Sequence, residues 1–196
     1  MKISKLLSVI VLFGLAACAS SMKDIVLERS DGLSKRPDWV KESNAFVIEK
    51  GTVYSLGSTT IPANARPEAG FRIAENNAKG AIAGAIEQRL NFMFQNAEEG
   101  LTMDATQTRF IGAEVSKLTT SSIRPGKRYW EKVAVVTDAE GERTVQYRVF
   151  AQVTMPEADF KKAIQEALRR AEGGKGLSEE FRERVDRNWD EFVQAP

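Results

Sequence analysis

The chain of 196 residues carries 28 Lys and Arg against 27 Asp and Glu, one Cys and no His. Without His, neither a Ser-His-Asp nor a Cys-His nucleophile can be built, nor a zinc site of the usual His-containing kinds. The near-zero charge balance gives no electrostatic reason to expect nucleic acid as a partner. A single Cys permits no internal disulfide, so the fold rests on its apolar core, and the length suits one domain with a sizeable one. Nothing in the sequence calls for a cofactor or a metal. Carboxylate-pair and Ser-Lys chemistries stay formally open, but the candidate acids near a hairpin, Glu131 and Glu142, read as solvated face charges.

Residues 1–17 read as an export leader. Lys2 and Lys5 supply positive charge, Leu6 to Leu15 are apolar, and Ala16 and Ala17 are small. The apolar run falls short of the roughly 18 residues that a spanning helix needs. Leu15-Ala16-Ala17-Cys18 resembles the lipobox of bacterial lipoproteins. That resemblance implies recognition by a signal peptidase through Leu15, Ala16 and Ala17 and acylation of Cys18, which makes membrane lipid a partner. In such lipoproteins an Asp after the modified Cys resembles an inner-membrane retention signal. Here the residue is Ala19, so the expected location is the outer membrane with a periplasmic domain. Residues 18–36 are polar and aperiodic and read as a tether, about 25 Å across as a coil and about 60 Å at full stretch. Ile25-Val26-Leu27 could dock locally.

The domain is expected over residues 37–172. Pro37 pushes Arg36 into an extended conformation, and Trp39 and Val40 offer an apolar anchor. Trp39 reads first as a plug at the core edge and second as a partner contact. Val53 to Ser58 alternates as a strand that Gly57 closes. Asn64 is the expected cap of a long helix to Glu98, with Pro67 and Glu68 in its first turn. Ala74, Ala78, Ala81 and Ala85 give this helix a narrow face, widened by Ile82, Ile86, Leu90 and Met93. Gly80 and Gly84 each lower helix propensity by about 1 kcal/mol, which suggests close packing on their side. Phe92, Met93 and Phe94 give more apolar cover than one face needs.

A second helix is expected from a cap at Asp104 to Leu118, with Ile111 and Val115 inward. Pro125-Gly126 reads as a turn. Tyr129–Thr137 and Thr144–Met155 form a hairpin around Asp138-Ala139-Glu140-Gly141. In its second strand Val145, Tyr147, Val149, Ala151, Val153 and Met155 alternate with polar residues, apart from Phe150. One sheet face is therefore core, the other is largely solvated, and Arg148 belongs to the solvated face. Pro156-Glu157 opens a further helix with Phe160, Ile164, Ala167 and Leu168 inward. Residues 173–196 are a Gly-rich hinge and a C-terminal amphipathic helix whose Phe181, Val185, Trp189 and Phe192 share one face. That face either folds back onto the domain or docks into a neighbouring subunit.

The lipobox, Arg36-Pro37-Asp38-Trp39-Val40, Val53-Tyr54-Ser55-Leu56-Gly57 and the Ala-rich helix together resemble the twenty-kilodalton outer-membrane lipoprotein (LPP twenty) family, over roughly Pro37 to Met155. The family includes a flagellar assembly lipoprotein. The resemblance implies an α+β fold: a small antiparallel sheet of about three strands packed against the long Ala-rich helix, with further helices. It also implies a non-enzymatic role in multimeric envelope or flagellar structures, through self-association or contacts with other envelope proteins. The alternative is a periplasmic binding module for cell-wall polymer or a small ligand, in which Trp39, Tyr54, Tyr129 and Trp130 stack on sugar rings.

Overall fold

The computed structural model describes residues 23–41, 46–95, 105–137 and 141–172, together with 183, 186, 187, 189 and 190. It is an α+β fold built on a five-stranded antiparallel sheet. In chain order the elements are β1 (Ile25–Arg29), α1 (Asp38–Lys41), β2 (Phe46–Glu49), β3 (Thr52–Pro62), α2 (Pro67–Gln95), α3 (Ala105–Thr119), β4 (Arg124–Val136), β5 (Arg143–Pro156) and α4 (Glu157–Glu172). Spatially the strands run β1-β4-β5-β3-β2, so β1 and β2 form opposite edges.

Two of the five strands go beyond the three expected. The segment expected to be pure tether contains β1, which pairs with β4 through Ile25↔Ala134 and Arg29↔Glu131. Phe46–Glu49 pairs with Thr52–Ser55 across the two-residue turn Lys50-Gly51. Both turn residues have positive φ, 51° and 74°, the geometry that matches the twist of a tight hairpin. The expected hairpin is present, with Val136 opposite Arg143. Its first strand begins earlier than expected. Pro125-Gly126 lies inside β4, where the ladder to β5 shifts register between Pro125 and Arg128. Proline cannot donate to a ladder and is tolerated at such irregularities, and β1 does not reach that far along β4.

α2 starts at Pro67, with Arg66 rather than Asn64 before its first turn. It crosses one face of the sheet at very short range. A Cβ on Gly57 would lie 2.0 Å from the Ala74 carbonyl oxygen and 2.4 Å from the Ala78 nitrogen. The Ser55 hydroxyl donates to the Ala78 carbonyl at 2.7 Å. The alanine face thus packs on its own sheet. Gly80 and Gly84 do not take part: no described atom lies within 4 Å of where their Cβ atoms would sit. The close approach suggested on their side is absent among the described residues.

α3 packs against both α2 and α4. Ile82, Ile86 and Leu90 of α2, Ile111 and Val115 of α3, and Phe160, Ile164 and Leu168 of α4 form one core with Val53, Val153 and Met155 of the sheet. Phe46 closes it beside Phe160, ring centroids 5.4 Å apart. Asp104, the expected cap of α3, lies outside the described residues, as do the side chains of Met93 and Phe94.

Register fixes which residues face away from the helices. Ala151 pairs with Gly57, which touches α2, so Phe150 points to the opposite face. Tyr129 pairs with Phe150 and therefore shares that second face with Glu131 and Val133. This face is not largely solvated, contrary to the sequence reading. Tyr129, Glu131 and Val133 are at most 2 % exposed. The reason is topological. The chain from β1 to α1 crosses this face as a strap, as its contacts with Glu131 and Phe150 show. Val40, in α1, is buried with it.

Candidate functional site

A buried, densely bonded cluster of polar groups lies beneath that strap. Glu131 occupies a position where β4 alternates Tyr129, Glu131 and Val133 toward the second face, so a carboxylate stands in an otherwise apolar row. Burying it alone would be costly, and a buried charge is retained only with partners. Arg36 supplies them as a two-pronged fork: its Nε donates to Glu131 Oε1 at 3.1 Å and its Nη2 donates to Oε2 at 2.5 Å. The Tyr129 hydroxyl donates to Oε1 at 2.9 Å, and Arg29 Nε approaches the same oxygen at 3.4 Å. The Arg36 guanidinium also lies 5.3 Å from the centroid of the Phe150 ring. Pro37 explains the geometry locally, because it holds Arg36 extended so that its side chain reaches down to the sheet.

The electrostatics follow from this packing. Burial pushes the Glu131 carboxyl up, but the Arg36 and Tyr129 hydrogen bonds and the two guanidinium charges outweigh it and hold the group below its ordinary value. The Tyr129 hydroxyl is pushed up to about 12, first by burial and then by its bond to the Glu131 carboxylate. The carboxylate bond likewise raises Arg36. At neutral pH Glu131 is therefore fixed as an anion and Tyr129 as a neutral donor, and neither is poised to exchange protons. The cluster works as a fastener. Glu131 is thus corrected from a solvated face charge to a buried anchor. Glu142 does not join it: the partner of Glu131 on β5 is Arg148, and six residues of strand separate that position from Glu142, about 20 Å. Paired catalytic carboxylates stand no more than about 10 Å apart.

Arg148, also expected as a solvated residue, forms an ion pair with Asp24 at the start of β1. The first part of the arm is tied further by Ser30, whose amide donates to the Trp130 carbonyl at 3.0 Å and whose hydroxyl accepts from the Trp130 amide at 3.1 Å.

The other candidate residues do not converge. Trp39 is half-buried in α1 while its neighbour Val40 is the buried residue. Tyr54 pairs with Thr154 and faces the strap side, whereas Trp130 pairs with Val149 and faces the helix side. Trp130 is half-buried, edge-on to Tyr147 with centroids 5.1 Å apart. The four aromatics expected to stack on sugars are thus split between two faces, and Tyr129 is occupied. Trp189, half-buried, packs on its own chain. Its indole donates to Glu157 Oε1 at 2.8 Å, and its ring sits edge-on to Phe160 at 6.2 Å. Phe181, Val185 and Phe192 lie outside the described residues, as do Leu15, Ala16, Ala17 and Cys18.

Among the described residues no group of three or more acidic, Cys or His side chains is placed to hold a metal, and no helix is long and apolar enough to cross a membrane. Comparison with protein-family models, with curated proteins and with solved structures yields no match.

Proposed function

We propose that this chain is a bacterial outer-membrane lipoprotein, anchored through acylated Cys18, that acts structurally in an envelope assembly rather than as an enzyme. The leader and the Leu15-Ala16-Ala17-Cys18 tetrad support the anchor. The observation that carries the structural role is the buried Arg36–Glu131 fastener, together with β1. The segment next to the anchor is built into the sheet rather than trailing from it. From Cys18 to Ile25 the chain spans at most about 25 Å, so a domain anchored this way is held close to its bilayer. Glu131, held below its ordinary value, and Tyr129, pushed up to about 12, keep an anion and a neutral donor at neutral pH, which supports a fastening role over proton transfer. Partners are then membrane lipid and either further copies or other envelope proteins, with flagellar structures as one setting.

Light scattering on the full chain in detergent micelles tests the assembly role. A large closed oligomer is expected, and a monomer at all concentrations would overturn it. One observation favours the alternative binding module: Trp130 is half-exposed beside Tyr147, with Lys132 Nζ 5.7 Å from the Tyr147 ring. Retention on purified peptidoglycan that is lost in Trp130→Ala would favour that reading over assembly.

A further inference from the structure

The geometry points to a releasable N-terminal arm, residues 23–41, whose two halves are fastened by the single carboxylate of Glu131 and whose release lengthens the span between residue 18 and the domain. Arg29 at the end of β1 and Arg36 in the strap both reach Glu131 Oε1, from opposite sides of the turn at Gly32. Cutting that one anchor therefore loosens both halves together. The rest of the attachment is polar and short: the β1–β4 ladder, the two bonds between Ser30 and Trp130, and a bond from the Arg143 guanidinium to the Lys23 carbonyl at 2.9 Å. β1 is an edge strand of five residues with a register shift between Val26 and Glu28. Ile25, Leu27 and Leu33 remain exposed at 49 %, 52 % and 62 %. The Asp24–Arg148 pair is partly exposed on both sides, 31 % for Arg148 and 34 % for Asp24, unlike Glu131, so solvent screens it in part. Apart from Val40, the arm brings no fully buried apolar side chain to the sheet.

The body does not depend on the arm in the same way. Its core is drawn from β2, β3, β5 and the helices α2 to α4, and no residue of the arm belongs to that cluster. A buried ion pair is also a fastener of a particular kind: it specifies one register strongly yet adds little net stability over an apolar contact. These are the properties of a segment that opens as a local unit while the remainder stays folded.

Release changes reach. With the arm docked, the stretch from residue 18 to β1 spans at most about 25 Å, and as a coil averages about 15 Å. With residues 23–41 free, the stretch from residue 18 to Lys41 extends to about 80 Å, and as a coil averages about 26 Å. This consequence rests on the lipoprotein reading, because only an anchored residue 18 makes it a distance from a membrane. The arm itself does not.

Hydrogen exchange by mass spectrometry on the full chain in detergent micelles tests the arm. In Glu131→Gln, peptides covering β1 and the strap are expected to exchange about tenfold faster together, and in Arg36→Met roughly a hundredfold faster. Peptides of β3, β5 and α2 should remain unchanged. Loss of protection in the strap with β1 unaffected would overturn the shared fastener. A fall across the whole chain would overturn the arm as a separate unit. A Val26→Cys/Val133→Cys disulfide, joining positions that face each other on β1 and β4, should restore slow exchange in the Glu131→Gln background, and failure to do so would also count against it. For reach, a dye on Thr120→Cys, an exposed position at the end of α3, is measured against headgroup dyes in phosphatidylethanolamine vesicles. Energy transfer should fall in Glu131→Gln. Faster exchange without that fall would leave the arm standing and contradict the Cys18 anchor.

Discussion

Removing Arg36 should cost the protein more than neutralising Glu131, although the two form one ion pair. The Glu131 side chain is 1 % exposed and that of Arg36 is 34 % exposed. In Arg36→Met the carboxylate stays buried and keeps the Tyr129 hydroxyl at 2.9 Å, with Arg29 at 3.4 Å as the cation beside it. Orphaning a buried charge costs about 3–5 kcal/mol, and the remaining guanidinium places this case near the lower end, about 3 kcal/mol. In Glu131→Gln the amide oxygen still accepts from Tyr129, and Arg36 turns its partly exposed head to water. That loss is about 1 kcal/mol. Both losses fall on docking of the arm, so hydrogen exchange of the arm peptides measures them. Trp39 lies in the arm, and its emission reports release below the urea concentration that unfolds the body.

The two variants should also differ in how stability depends on pH. In the native protein the Glu131 carboxyl lies below its ordinary 4.5. The stability it contributes is full above that value and is lost as pH falls through the lower folded value. In Arg36→Met burial, the largest influence on this carboxyl, loses its main opponent and is expected to raise it. Stability would then be full below the ordinary value and lost as pH rises through the raised one, whereas Glu131→Gln has no carboxyl here and loses this dependence. Equal costs for the two substitutions, or the same pH slope in both, would refute the reasoning.

Gly57→Ala should destabilise by about 3 kcal/mol or more, because the new methyl meets α2 backbone atoms at 2.0 and 2.4 Å and the helix must lift from the sheet. Its urea midpoint should fall sharply. Gly80→Ala and Gly84→Ala should each stabilise by about 0.5–1 kcal/mol, since both positions are helical and no described residue packs on them. If either substitution instead disperses an oligomer in light scattering, that helix face is an interface. Trp189→Ala should lower stability by about 2 kcal/mol through loss of its contacts with Phe160 and Glu157. A neutral result in thermal unfolding would show that the C-terminal segment does not contribute to the core.

Local patterns carried much of the fold. The perfect alternation from Val145 to Met155 identified β5 and its buried face, and the Ala and Ile periodicity identified α2. Features that depend on distant partners did not show in the same way. β1 looks like tether because its five residues have no alternation and their pairing partner lies about a hundred positions away. β2 was hidden by Lys50, a residue that rarely marks a tight turn although it adopts the positive φ that Gly51 shares. Pro125-Gly126 has turn chemistry but serves as an irregularity within a strand. The fastener left one trace in the sequence, a charge at 131 in an apolar row of β4. That trace could not name Arg36, because only the crossing of the strap over the sheet brings the two together. The alanine face found its partner in Gly57, whereas among the described residues nothing packs on Gly80 and Gly84, so small helical residues do not mark close packing there.

The anchor is the claim on which the functional account depends, and the mass of the amino-terminal peptide from protein extracted out of membranes tests it most directly. The expected peptide begins at Cys18 and carries a diacylglyceryl group on sulfur and an acyl chain on nitrogen. A peptide that begins at Met1, or an unmodified Cys18, would contradict it.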